Sequence, residues 1–258
     1  KKPQREAELD ERLLATPALA LERCRTLIAD MASYAMESMR ESLGAVLACT
    51  PKTAEHIRED EARTDHYEDI IGSYLVKLSA RKIGETDSAL AAEYLRLIGD
   101  FERIADHSVN ILESAEELKN KGISFSPAAR QEYQIMSAAV QEVTGLAYTA
   151  FVTGDIGAAR RIEPLEQVID DLKEELRTRH IRRMQQGTCG IEAGFIWSDL
   201  LTDLERVSDH CSNIACCIVE GIDHNLHRHE VLQSIRENSA SFDADYAAFR
   251  EKYALAVE

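Results

Sequence analysis

The sequence predicts an all-α fold: two tandem, pseudo-equivalent three-helix bundles followed by one extra C-terminal helix. Three observations lead there. Glycine and proline are scarce, 12 and 5 in 258 residues, while 45% of the chain is apolar and 29% charged, and so few turn-formers favour long helices. Apolar residues recur with a helical period, as in Leu97, Ile98, Phe101, Ile104, Ala105, Ile111 and Leu112. The chain also repeats itself: DFERIADHSVNI at 100–111 returns as DLERVSDHCSNI at 203–214, with seven of the twelve positions identical.

The elements follow in order. TPALALE (16–22) opens a first helix with a cap residue and a proline at the first helical position, and SPAARQE (126–132) does the same in the second half. A second helix starts after Thr50-Pro51 and carries IREDEARTD (57–65); its partner starts after Thr153 to Asp155 and carries IEPLEQVID (162–170). Third helices follow breaks at Gly84 to Asp87 and at Gln186 to Gly190, the later one with the stripe Leu200, Leu201, Leu204, Val207, Ile214 and Ile218. The segment Gly122 to Pro127 separates the halves. The three matches recur in the same order at offsets of 110, 105 and 103, which marks a duplicated three-helix unit. The expected boundaries are an N-terminal linker at 1–15, repeats at 16–122 and 123–222, and a linker with a last helix at 223–258, its pattern at about 230–253 having no counterpart in the first half.

Formal net charge is -16, and no Lys/Arg cluster could neutralise a run of phosphates, so nucleic acid is excluded as a partner and cations or basic protein surfaces suit the balance better. The six cysteines (Cys24, Cys49, Cys189, Cys211, Cys216, Cys217) form no C-x-x-C pair and read as reduced core thiols of a cytosolic setting. No apolar run is expected to reach the roughly 18 residues of a membrane span, and KKPQREAELDER has no apolar signal region, so the chain as given reads as soluble.

Chemistry concentrates in four Glu-x-x-x-Asp pairs: Glu61 with Asp65, Glu102 with Asp106, Glu166 with Asp170, and Glu205 with Asp209. Residues four apart stack on one helix face, where like charges cost about 0.2–0.5 kcal/mol per pair. A bound cation reverses that sign. In a chain with 46 acidic residues a single such pair reads as a solvated face. Four copies at duplicated positions favour ligands, because solvation alone gives no reason for Glu and Asp to agree between diverged halves. If second and third helices are neighbours, each bundle gathers four carboxylates, an oxygen set suited to Mg²⁺, Mn²⁺, Ca²⁺ or ferric iron. Glu68, Asp69 and Glu174 lie a turn further along and could extend the sites, Asp100 and Asp203 rank second, and His107 and His210 could be ligands or could face a neighbouring helix. Arg103 and Arg206 could pair with the acids for structural reasons, and Asn110 and Asn213 suit interhelix hydrogen bonds. His224, His227 and His229 form an unrepeated tract read as a solvated loop. P-loop, G-x-G-x-x-G, G-x-S-x-G and H-E-x-x-H motifs are missing, as is the Glu-x-x-His of ferritin-like bundles.

ERIADHSVNI and ERVSDHCSNI, preceded by EARTD and EQVID about forty residues upstream, resemble the tandem motifs of the PhoU family of bacterial phosphate-uptake regulators over roughly residues 16–220. The resemblance implies a non-enzymatic role. It also implies that Glu61, Asp65, Glu102, Asp106, Glu166, Asp170, Glu205 and Asp209 hold one multinuclear cluster per bundle, of iron, zinc, manganese or magnesium, through which phosphate could bind. LDERLLATPALALER and the last helix ending in FREKYAL further resemble the PhoU-like cytoplasmic region of bacterial Na⁺/phosphate cotransporters, and the charged beginning without Met fits a domain cut just after a membrane portion. The expectation is therefore a regulatory domain on the cytoplasmic face of a membrane, partnered with the membrane portion of a phosphate transporter, with oligomerisation left open. The alternatives are a free-standing cytoplasmic regulator acting through an importer and a sensor kinase, and a multinuclear-metal phosphohydrolase.

Overall fold

A computed structural model of the chain describes residues 9–223 and 228–256, with side chains omitted from 222–239. The side chains of His224, His227 and His229 thus lie outside the described residues. The helices are α1 (Pro17–Ala45), α2 (Pro51–Ser79), α3 (Glu85–Lys121), α4 (Pro127–Thr153), α5 (Ile156–Gln185), α6 (Ile191–Asp223) and α7 (Arg228–Lys252); the breaks read from the sequence fall at their junctions, except that Glu85 to Asp87, expected as part of a break, form the first turn of α3 after the cap Gly84. No strand occurs among the described residues.

Local chemistry sets the ends. Thr50 accepts a hydrogen bond from Thr53 N at the start of α2, Ser126 from Ala129 N at α4 and Asp155 from Ala158 N at α5, each satisfying a backbone donor the helix leaves free. Thr16 precedes Pro17 as expected, but its hydroxyl makes no capping bond. Gly122 and Gly154 close α3 and α4 at φ 63° and 69°, a left-handed conformation that glycine adopts without strain. The segment expected as a linker is more ordered than that: Glu11–Ala15 form a short 3-10 helix with Leu14 buried, and Tyr74 Oη donates to Asp10 O at 3.0 Å.

Helices α1, α2 and α3 pack as one three-helix bundle and α4, α5 and α6 as another, with α3 against α6 and α1 against α4 joining them. One apolar core runs through both, from Leu21, Ile28, Met31 and Leu97 to Val140, Ile169, Trp197 and Leu204. Phe101 of the first bundle meets Phe151 of the second edge to face at 5.7 Å between ring centres, and Tyr133 donates to Leu43 O at 2.6 Å. Helix α7 lies on α5, with Phe249 and Tyr253 buried and Tyr246 Oη donating to Asp171 at 2.6 Å.

Two expectations are corrected. Among the described residues, α4 is long and apolar enough to cross a membrane, because few charges interrupt it; its buried face (Tyr133, Met136, Val140, Val143) packs in the second bundle. The cysteines are all unpaired, but Cys24, Cys211 and Cys217 are buried, Cys49 and Cys189 half-buried, and Cys216 exposed on α6 beside Glu163.

Candidate metal centre

Helices α2 and α3 are neighbours, so the first two acidic pairs converge. Asp65, Glu68 and Glu102 each place an oxygen within 4.8 Å of the others. Ligand oxygens on opposite sides of one hard cation stand about 4–5 Å apart, so this spacing suits a shared ion. Glu61 and Asp106 complete the face. Burial raises the Glu61 carboxyl, and the charges of Asp106 and Asp65 raise it further. Burial, then Asp65 and Asp69, raise Glu68. Glu102 is pushed up to about 7 by burial, by the charge of Asp106 and by a hydrogen bond with it. Among the described residues, Arg103 answers these acids, with Nη1 3.4 Å from Asp106 and Nε 3.8 Å from Glu102, on a side chain that is 63% exposed. Keeping so dense a set of acceptors ionised costs free energy, and a cation among them would lower that cost. The donor set is all carboxylate oxygen, which fits a hard metal ion.

The second face is built from α5 and α6. Glu166 is pushed up to about 7 by burial, by Glu163, and by the charge and hydrogen bond of Asp209, with Asp170 adding to this. Burial and Glu205 likewise raise Asp209. Two residues that the motif did not single out belong here. Glu163, one turn before Glu166, accepts a hydrogen bond from Ser212 of α6. Lys173 sets its Nζ 3.0 Å from Glu205 Oε2. Among the described residues, the spacing that could seat one ion is found on the first face and not on this one.

The second-ranked residues serve a different purpose. His107 Nδ1 lies 3.0 Å from Asp203 Oδ1 and His210 Nδ1 3.0 Å from Asp100 Oδ1, so each histidine is held by the other bundle's aspartate. This pairing requires α3 and α6 to run antiparallel about a local two-fold. Asn110 reaches Asp203 at 3.4 Å and Asn213 reaches Asp100 at 3.3 Å, as interhelix hydrogen bonds, and the two imidazoles lie 5.5 Å apart. These four histidine and aspartate side chains therefore join the two bundles, and Asp100 also lines the groove that Glu68 and Glu102 face. Glu174 is exposed and reaches Arg177 at 3.7 Å, and Asp69 stays on the rim beside Glu68.

A groove of about 760 Å³ runs beside the first face between α3 and α6, lined by Glu68, Glu102, Arg96, Arg103, Asn213 and Cys216 among others. Arg103 stands next to the carboxylates there, while Arg96 lines the same groove paired with Glu220 at 3.2 Å.

Comparison with known proteins settles the family. The PhoU domain matches at residues 28–115 and 133–218, one copy per bundle. The chain belongs to the PhoU domain family. Among curated proteins, the chain is 30% identical over 150 residues to a phosphate-specific transport system accessory protein PhoU homolog of Thermotoga maritima, covering 58% of this chain and 63% of that protein. It is 25% identical over 232 residues to a putative inorganic phosphate export protein, YjbB, of Escherichia coli, covering 88% of this chain and 42% of that one. It thus spans less than two thirds of the length of either relative. Crystal structures of PhoU from Pseudomonas aeruginosa (TM-score 0.74, 22% identity, 79% of this chain and 97% of that one) and Streptococcus pneumoniae (TM-score 0.70, 19% identity, 80% and 96%) share the fold.

Proposed function

We propose that the chain is a metal-dependent PhoU-type regulator of phosphate transport whose first acidic face holds hard metal ions. The convergence of Asp65, Glu68 and Glu102 within 4.8 Å is the observation that carries this reading. Glu61 and Asp106 would hold the ions together with those three. Phosphate, itself an anion, is repelled by the bare carboxylates, but a cation on them reverses the local field, and Arg96 and Arg103 line the adjoining groove. The chain would then report phosphate by binding it through metal, and act by binding a transporter, with no catalysis by its own residues.

Metal analysis tests the site. The purified chain is expected to retain Mn²⁺ or Fe after desalting, and a variant with Glu61, Asp65, Glu102 and Asp106 all changed to Ala is expected to retain far less; equal contents would refute it. Phosphate is then expected to bind the loaded protein and not the stripped one. In cells, deletion is expected to raise a phosphate-starvation reporter under phosphate-replete conditions, with rescue by the wild type and not by the quadruple variant.

The long match to the export protein supports a second reading, the regulatory region of a phosphate transporter on the cytoplasmic face of the membrane. An upstream membrane-encoding segment in the same reading frame would favour it; a neighbouring importer operon would favour the free-standing regulator.

A further inference from the structure

Duplication makes each acidic face a reference for the other. With Glu61 placed on Glu166 and Asp65 on Asp170, Glu68 falls opposite Lys173. On α2, Glu68 offers an oxygen to the group formed with Asp65 and Glu102. On α5, the same place holds an ammonium group bonded at 3.0 Å to Glu205, the counterpart of Glu102. Their side chains are only 17% and 18% exposed, so the pair is held between helices and is not a loose surface contact.

We infer that Lys173 is a built-in cation of the second face, so that metal loads the first face and is largely kept off the second. The inference rests on the metal reading of the first face. An ammonium group has three donors and no acceptor, so Lys173 subtracts a ligand where Glu68 supplies one. It also engages Glu205, which an ion would otherwise have to recruit from α6. Its charge sits where the first face has a negative one, so an arriving divalent ion meets repulsion in place of attraction. Glu163 does not restore the balance at that end, since it lies on the opposite side of Glu166 along α5 and is engaged with Ser212. The duplicated halves have thus kept the motif and divided its use. In the second, Lys173 relieves part of the carboxylate repulsion permanently; in the first, relief depends on a metal and so can respond to its supply.

The test uses the full chain, stripped with chelator and titrated with Mn²⁺, with bound Mn²⁺ counted by mass spectrometry and affinity read by calorimetry. Proteins compared are the wild type, Lys173→Glu, Lys173→Met, Glu68→Lys, and Lys173→Glu placed in the first-face quadruple alanine variant; circular dichroism confirms that each is folded. One class of tight sites is expected in the wild type, weakened about tenfold or more by Glu68→Lys, a loss near 1.4 kcal/mol. Lys173→Glu is expected to add a second class of sites and to restore uptake to the quadruple variant, while Lys173→Met adds less. Two equal classes in the wild type, unchanged by either Lys173 substitution, would overturn the inference and leave the metal reading intact. No bound Mn²⁺ in any protein would overturn both.

Discussion

Replacing Glu102 by glutamine should stabilise the metal-free protein at pH 8 and do little at pH 5. Its carboxyl has an ordinary value of 4.5 and is pushed up to about 7 in the fold, first by burial and then by Asp106. Below about pH 4.5 folded and unfolded chains both carry the proton, and the fold suffers no penalty. Between there and pH 7 the unfolded chain ionises while the folded one does not, so stability falls as pH rises; above 7 the full penalty remains. A tenfold change in proton affinity is worth roughly 1.4 kcal/mol, which puts a ceiling of about 3 kcal/mol on the effect. Water reaches this face, so screening leaves roughly 1–2 kcal/mol. In a chain of this size that corresponds to about 2–8 °C in melting temperature. Glu166→Gln should behave alike, since Glu166 also reaches about 7. The assay is a thermal melt in chelator at pH 5 and pH 8, where comparison of variant with wild type cancels every other titrating group. Added Mn²⁺ should stabilise the wild type strongly at pH 8 and Glu102→Gln much less, because the ion replaces the proton. If Glu102→Gln melts with the wild type at both pH values in chelator, the crowding of carboxylates is not what the geometry says it is.

Three further outcomes follow from the packing. Arg183 donates to both oxygens of buried Glu132 at 3.0 and 2.8 Å, with Arg179 Nη1 a second cation 3.6 Å away, so Arg183→Leu removes two charged hydrogen bonds but leaves a partner and should cost about 1.5–3 kcal/mol in urea unfolding, much of it recovered in the double variant with Glu132→Leu; a cost below about 1 kcal/mol would count against a buried pair. His107→Ala and Asp203→Ala should show about 0.5–3 kcal/mol of coupling in a double-mutant cycle, whereas simple additivity would mean that the interbundle contact contributes nothing. Cys216 should react first with a thiol reagent in the folded protein. Cys24 and Cys217, buried and with thiols pushed up to about 12, should react only on unfolding, and the reverse order in peptide mapping would contradict the packing of α6.

What the sequence discloses and what it hides have separate physical causes. Helix ends were legible because Pro51, Pro127, Gly122 and Gly154 act locally, through a missing donor or a left-handed φ. The acidic faces were legible because a spacing of four fixes a helix side, and duplication removed chance as an explanation. Nothing local could say that His107 turns to Asp203, 96 residues away, while Asp106 beside it turns to Glu102. Adjacent positions on a helix point about 100° apart, so two neighbours in one motif can serve two interfaces, and only the partner helix decides which. Lys173 shows the same limit more sharply. Aligning the repeats three residues past Asp170 sets it against Glu68, yet a lysine there could equally reach solvent, and it is the approach of α6 that brings Glu205 to its ammonium group. A repeated motif therefore fixes where charge is collected, while the unrepeated residue beside it determines whether that charge is left for a metal or already answered.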